Sequence, residues 1–192
     1  MTRARGRPKQ GTGLTRDDIL DAAMPLLEQG GGKGFSMRAL AARLGTTPMS
    51  LYHHLPDRAG LLVALSDRVY GEVLSAMPDA IDGWSEIRIL LTRYHEAVGR
   101  HPQLTLEIFA EPQAFAGVSR AITDRLNSLL AAITREHLLW RDILIDHAHG
   151  SGLALSSAQA DQERGALLRS QYGQALDCLL AGLASSSNQP LL

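Results

Sequence analysis

Ser36-Met37-Arg38-Ala39-Leu40-Ala41-Ala42-Arg43-Leu44-Gly45-Thr46-Thr47-Pro48-Met49-Ser50-Leu51-Tyr52-His53-His54-Leu55 is the stretch that decides the fold. Ser36 suits a helix N-cap, because its hydroxyl can accept from a backbone N–H that the first turn leaves without a partner. It predicts a short helix over 37–44, with Leu40 and Leu44 on the inner face. Ala41 is small where a second helix must cross closely, and Gly45 supplies a turn position that side chains resist. Thr47-Pro48 then opens a fresh helix over 48–55, with Thr as cap and Pro in the first turn, where its missing N–H does no harm. Leu51, six residues after Gly45, returns to the core between the two helices. This spacing is that of a helix-turn-helix, whose second helix enters the major groove of DNA. An ordinary helical hairpin is the other arrangement with the same small-residue spacing.

Upstream, Thr15 and Asp18 form a capping-box pair, and Ile19, Ala23, Leu26 and Leu27 share one helical face. Gly30-Gly31-Gly32 is expected to end this first helix, since three glycines favour coil. Residues 1–13 carry four basic side chains, three glycines and one proline, so they are expected to be a flexible arm. Within the arm, Arg5-Gly6-Arg7-Pro8 resembles the core of an AT-hook: Gly permits close approach, and Arg5 and Arg7 follow the negative potential of a narrow minor groove. A plain solvated basic tail is the alternative.

The whole chain, 192 residues, has a formal net charge of -1, but the charge is divided unevenly. Residues 1–58 hold nine Lys/Arg against five Asp/Glu, and the remainder is acidic. A basic head on an acidic body points the head at a polyanion. Cys178 is the single cysteine, so neither an internal disulfide nor a cysteine zinc site is expected. No apolar run approaches the roughly 18 residues of a membrane span, and the start lacks a signal peptide. The expectation is a cytoplasmic protein without membrane contact.

Downstream, Leu61, Leu62, Leu65, Val69 and Val73 predict a connecting helix over 58–77, and 78–83 reads as a domain boundary. Every later segment repeats its apolar residues at three and four: Trp84, Ile87, Leu91, Tyr94 and Val98, then Phe115, Val118, Ile122, Leu126, Leu129 and Ile133. A short helix over 103–110 sits between the breaks at Pro102 and Pro112, and two long ones are expected near 138–157 and 163–185. No segment alternates with period two. The fold class is therefore all-α, with about nine helices: a flexible basic arm (1–13), a three-helix head (14–57), a connecting helix (58–77) and a larger helical domain (78–192).

The run from Ser36 to Gly45, followed by Ser50-Leu51-Tyr52-His53-His54-Leu55, Arg58 and Leu61-Leu62, resembles the head of tetracycline-repressor (TetR) family regulators. The resemblance runs from Thr15 to Val73; Tyr172-Gly173-Gln174-Ala175-Leu176-Asp177-Cys178-Leu179-Leu180-Ala181-Gly182-Leu183 resembles the last helix of many members. Thr46 departs from the apolar residue usual after the turn glycine, and Arg58 stands where many members carry Lys. The resemblance implies DNA contacts from Ser36, Arg38, Thr47, Pro48, Met49, Ser50, Tyr52, His53, His54 and Arg58. Arg38 suits guanine O6/N7, and Met49 and Tyr52 suit bases or sugars. Ser50, His54 and Arg58 suit phosphates, and Thr47 also offers its backbone N–H to one; His53 reads equally as plain surface.

The body is expected to do two things. Gly150, Gly152 and Ala154 allow close helix approach, and Leu168, Tyr172, Leu176, Leu179 and Leu183 make an apolar stripe, so the last two helices suit a four-helix homodimer interface; intramolecular core is the alternative for that stripe. Trp84, Tyr94, His95, Phe109, Phe115, Trp140 and His147 are candidates to line a cavity for a small-molecule effector, or are plain core residues. His95, His147 and His149 lack a cysteine or carboxylate at ligand spacing, so no metal and no cofactor is expected. No nucleophile–base pair, phosphate-binding glycine loop or carboxylate dyad suggests an enzyme. The reading is a regulator released from palindromic operator DNA by an effector, with a constitutive or architectural dimeric DNA-binding protein as the alternative.

Overall fold

The computed structural model describes residues 13–75, 81–158 and 160–187, and every regular element among them is helical. In chain order these are α1 (Arg16–Gly34), α2 (Met37–Arg43), α3 (Pro48–Tyr52), α4 (Arg58–Leu74), α5 (Gly83–Arg100), α6 (Pro102–Ala110), α7 (Gly117–Ala131), α8 (His137–Ser156) and α9 (Gln162–Ser187). A single 3-10 turn, Pro112–Ala114, joins α6 to α7. Arg5, Arg7 and the rest of the expected arm up to residue 12 lie outside the described residues, as do 76–80 in the expected boundary.

The head is α1 to α3. Thr15 and Asp18 form the capping box, each side chain accepting from the other's backbone N–H at 2.9 and 3.2 Å. α1 does not stop at the glycines; it runs through Gly30-Gly31-Gly32 to Gly34. Each glycine costs a helix only about 0.5–1 kcal/mol relative to Ala. Burial of Phe35 just beyond them, together with Leu27 before them, holds both ends of the segment against the core. α3 is shorter than expected, because Leu55 precedes Pro56 and is pushed away from helical backbone; the chain turns through His53 and His54 after Tyr52.

Two helices sit at the centre. α4 buries residues around most of its circumference, including Leu62, Leu65, Tyr70 and Val73, because it packs on α1, α5, α6 and α7. α5 buries Ile87, Leu90, Leu91, Ala97 and Val98 and packs most extensively on α8. The α5–α8 crossing is close because glycines meet there: a Cβ on Gly152 would lie 2.7 Å from Val98 Cγ1, and one on Gly99 would lie 2.8 Å from Leu155 Cδ2. Gly152 thus serves the packing of α8 on α5 within the chain. Asp67 of α4 reaches across to accept from Val118 N at 2.8 Å, which fixes the start of α7 beside α4 where Gly117 has φ +54°.

Candidate nucleic-acid interface and cavity

The head presents its polar and apolar functional groups on one rigid motif. Ser36 caps α2 by accepting from Ala39 N at 3.1 Å, and Thr47 caps α3 by accepting from Ser50 N at 3.3 Å. Between them Gly45 takes φ +63°, a left-handed turn conformation that costs any residue with a Cβ, and Thr46 N bonds back to Ala41 O at 3.0 Å. Leu40, Ala41 and Leu51 are buried where the two helices cross. What remains outside is the surface of interest. Met49 is 65% exposed and Tyr52 43%, an arrangement that nothing in the folding of the head requires. Arg38, His53 and His54 are exposed, Pro48 and Ser50 half-exposed, and Arg38 makes no ion pair among the described residues.

Arg58 is different. It opens α4 under the cap of Asp57, which accepts from Gly60 N at 2.7 Å. Its guanidinium forms an ion pair with Glu107 of α6, lies 3.8 Å from Glu111 Oε2, and sits 5.6 Å over the Phe35 ring.

Behind the head, a cavity of about 410 Å³ opens between α4, α5, α6, α7 and α8. Tyr94, Phe109 and Phe115 line it, as do Tyr70, Thr105, Ile108, Ser119, Thr123, Ile145 and His149, with Arg141, Asp142 and Asp146. The rings pack edge to face: Tyr70 on Tyr94 at 5.6 Å, Tyr94 on His149 at 5.3 Å, and Phe109 on His149 at 4.6 Å. The hydroxyls are tied down. Thr105 Oγ1 donates to His101 O at 3.2 Å, so the 2.7 Å bond between Tyr70 and Thr105 has the tyrosine as donor. Tyr94 Oη and His149 Nε2 share a 2.7 Å hydrogen bond. Burial pushes the Tyr70 hydroxyl up to about 12 and that of Tyr94 higher still, and it pulls His149 down to about 4. Tyr70, Tyr94 and His149 are therefore neutral near pH 7, and the ionic groups of the lining lie on α8 at Arg141, Asp142 and Asp146.

The other four candidate lining residues lie elsewhere. His95 is fully enclosed, stacked on Tyr172 at 3.8 Å and bonded to Ser151 Oγ at 3.2 Å; burial depresses its pKa. His147 also stacks on Tyr172, at 5.2 Å. Trp140 is half-buried with its ring edge near Gly182 of α9, and Trp84 is half-buried in the first turn of α5. The sequence offers His149 only as a metal ligand; its spacing from Ile145 and Arg141, four and eight residues, is the signal that groups the three on one face of α8. Among the described residues no three His, Cys, Asp or Glu side chains converge as a metal would need.

The stripe on the last two helices is divided. Tyr172, Leu176 and Leu183 point into this chain's own core, Tyr172 donating to Leu91 O at 3.0 Å, while Leu168 and Leu179 are half-buried. Burial against α8 and α5 is the physical competitor, and it claims the large side chains. Exposed on α8 are Leu139, Ile143, Gly150 and Ala154, which share one helical face, and on α9 Leu167 is 57% exposed.

Residues 19–65 match the family model described as "Bacterial regulatory proteins, tetR family". The chain is 28% identical to the HTH-type transcriptional repressor DrrR1 of Streptomyces coeruleorubidus, over 97% of this chain and 71% of that protein. BioQ of Mycobacterium smegmatis superposes with a TM-score of 0.73 at 24% identity, covering 90% of this chain and 98% of BioQ. BioQ in complex with its double-stranded DNA operator superposes at 0.70, with 23% identity and 90% and 99% coverage. A TetR Q116A variant from Acinetobacter baumannii in complex with minocycline superposes at 0.68, with 21% identity and 92% and 99% coverage.

Proposed function

This chain is a TetR-family transcriptional regulator that binds DNA, and from that premise we propose a homodimeric repressor released from a palindromic operator by a small effector bound in the α4–α8 cavity. One observation carries the reading. α4 begins at Arg58, just beyond α3, and lines the cavity through Tyr70, so a single helix touches both sites. A ligand among Tyr94, Phe109 and His149 presses on α6, and α6 packs on both α1 and α4. The effector needs only differential affinity for two states; about 1–3 kcal/mol of coupling changes DNA affinity some 5–150-fold.

In this reading α3 lies in the major groove. Met49 and Tyr52 meet base edges or sugars, Arg38 reads guanine O6/N7, and Ser50, His54, Arg58 and the Thr47 backbone N–H meet phosphates. Ser36, Pro48 and His53 flank these contacts, and Arg5 and Arg7 of the arm reach the minor groove. Two heads span successive major grooves about 34–36 Å apart, which demands a dimer. Leu139, Ile143, Gly150 and Ala154 of α8, with Leu167 of α9, supply its apolar face. Such a protein works in the bacterial cytoplasm, where the operator is. The test is selection of duplexes from a randomised pool, followed by measurement of stoichiometry. Two chains per palindromic site, lost together with binding in Ile143→Glu, is the expected result. A single chain bound to a half-site would contradict the dimer.

A further inference from the structure

Arg58 is contested between the body and DNA. Its guanidinium, 30% exposed, is the partner that the Glu107 carboxylate has among the described residues, and that carboxylate is only 12% exposed. Glu111, on the next turn of the chain, adds a second negative charge at 3.8 Å. The cluster as a whole is therefore anionic, on a side chain that must meet a phosphate if Arg58 touches DNA. A shielded carboxylate that loses its cation keeps its desolvation cost without the compensating attraction. Glu107 also stands on α6 between Thr105 and Ile108, both of which line the cavity.

We propose that Glu107 restrains Arg58, so that α6 competes with operator phosphate for one cation and the position of α6 sets DNA affinity. The proposal rests on the reading of Arg58 as a phosphate contact. It makes Glu107 a positioning residue: it touches no DNA and acts through Arg58. The device is graded, because Arg58 need only slide along Phe35 to exchange one anion for another. A ligand that draws α6 toward α4 strengthens the restraint; one that pulls α6 away weakens it.

The experiment uses the full chain and a duplex selected by the wild-type protein from a randomised pool, with binding followed by fluorescence anisotropy over a range of salt. Glu107→Gln keeps a hydrogen-bonding group for Arg58 but removes the charge, and tightens binding roughly 3- to 10-fold. Arg58→Gln weakens binding and lowers the salt slope by about 0.9. In the Arg58→Gln background, Glu107→Gln changes nothing. The same gain in both backgrounds would mean a general field effect and overturn the proposal. Weaker or unchanged binding by Glu107→Gln alone would overturn it too, by making Glu107 an aid to Arg58 or irrelevant to it. Unchanged affinity and slope in Arg58→Gln would remove the phosphate contact, and the proposal with it, while leaving a DNA-binding protein. Failure of the wild type to select any duplex would sink the DNA-binding function itself. Should Glu107→Gln not fold, Glu111→Gln on the more exposed carboxylate carries the same test, with a gain of about twofold that again requires Arg58.

Discussion

The head and the body are tied together by hydrogen bonds of very different range. In the head, the defining side-chain bonds span three residues: Thr15 with Asp18, Ser36 with Ala39, Thr47 with Ser50, and Asp57 with Gly60 at the start of α4. In the body, Tyr70 reaches Thr105, Ser66 meets Ser119 53 positions away, Tyr94 meets His149, and Arg88 pairs with Asp177 across 89 positions. Short-range bonds make a small unit whose exposed side is fixed by its own sequence. Long-range bonds make a cavity whose wall is assembled from five helices. A surface for a constant partner such as DNA suits the first kind of construction, and a pocket that responds to a ligand suits the second.

The sharpest way to break this contrast is a core deletion in the head. Leu51→Ala removes a fully buried side chain at the α2–α3 crossing and costs roughly 2–5 kcal/mol. Hydrogen exchange is expected to show α2 and α3 losing protection while α5 and α8 keep theirs. Equal losses in all four would erase the distinction between the two regions.

Next in size is a change that touches function alone. Arg38→Ala is expected to cost roughly 1–3 kcal/mol of operator binding and to relax one base position, with no change in melting temperature. A loss shared equally by all sequences would make Arg38 a phosphate contact instead. On the body's side, Gly152→Ala places a Cβ against Val98 and His95 O and is expected to cost about 1–3 kcal/mol, whereas a Cβ at Gly150 meets nothing within 4 Å in the same chain. Gly150→Ala that melts as low as Gly152→Ala would show that a partner chain packs closely at Gly150.

These contrasts explain how much was legible in the sequence. Ser36, Thr47 and the Thr15–Asp18 pair announced their caps because a cap depends on neighbours within three residues. Gly45 announced its turn for the same reason. The glycines in the last turns of α1 mislead because a buried Phe35, not local preference, decides where that helix ends. On α9 the periodicity of Leu168, Tyr172, Leu176, Leu179 and Leu183 is plain, but period alone does not say what an apolar face meets, and α8 and α5 of the same chain take most of it. The cavity was half-legible. Aromatic residues marked the body, yet only the crossing of α5 and α8 at Gly99 and Gly152 puts Tyr94 against His149 and sends His95 to Tyr172.

A smaller effect separates the regions by pH. Burial lowers the His149 pKa from 6.5 to about 4, with the nearby Asp146 charge opposing the shift, and burial lowers that of His95 as well. The unfolded chain then takes up protons that the folded body refuses, so stability falls as pH drops through the window from about 6.5 to about 4 and is level above it. The slope for His149 is at most about 1.4 kcal/mol per pH unit, less because the ring is only partly enclosed. His149→Phe is expected to flatten part of this slope, leaving the share of His95. An unchanged slope would mean that His149 takes up its proton as readily in the folded body as in the unfolded chain.

The central claim is that the cavity and the DNA-reading surface are energetically linked through α4 and α6. A compound that raises the melting temperature of the chain serves as the probe, and its affinity is measured by calorimetric titration with and without a saturating amount of the selected duplex. Linkage is reciprocal, so an effector that releases DNA must itself be weakened by DNA by the same factor, about 5–150-fold. That loss, matched by an equal loss of duplex affinity when the compound is saturating, is the result this account predicts. Identical compound affinities in the two titrations would contradict it and leave a constitutive dimeric DNA-binding protein in its place.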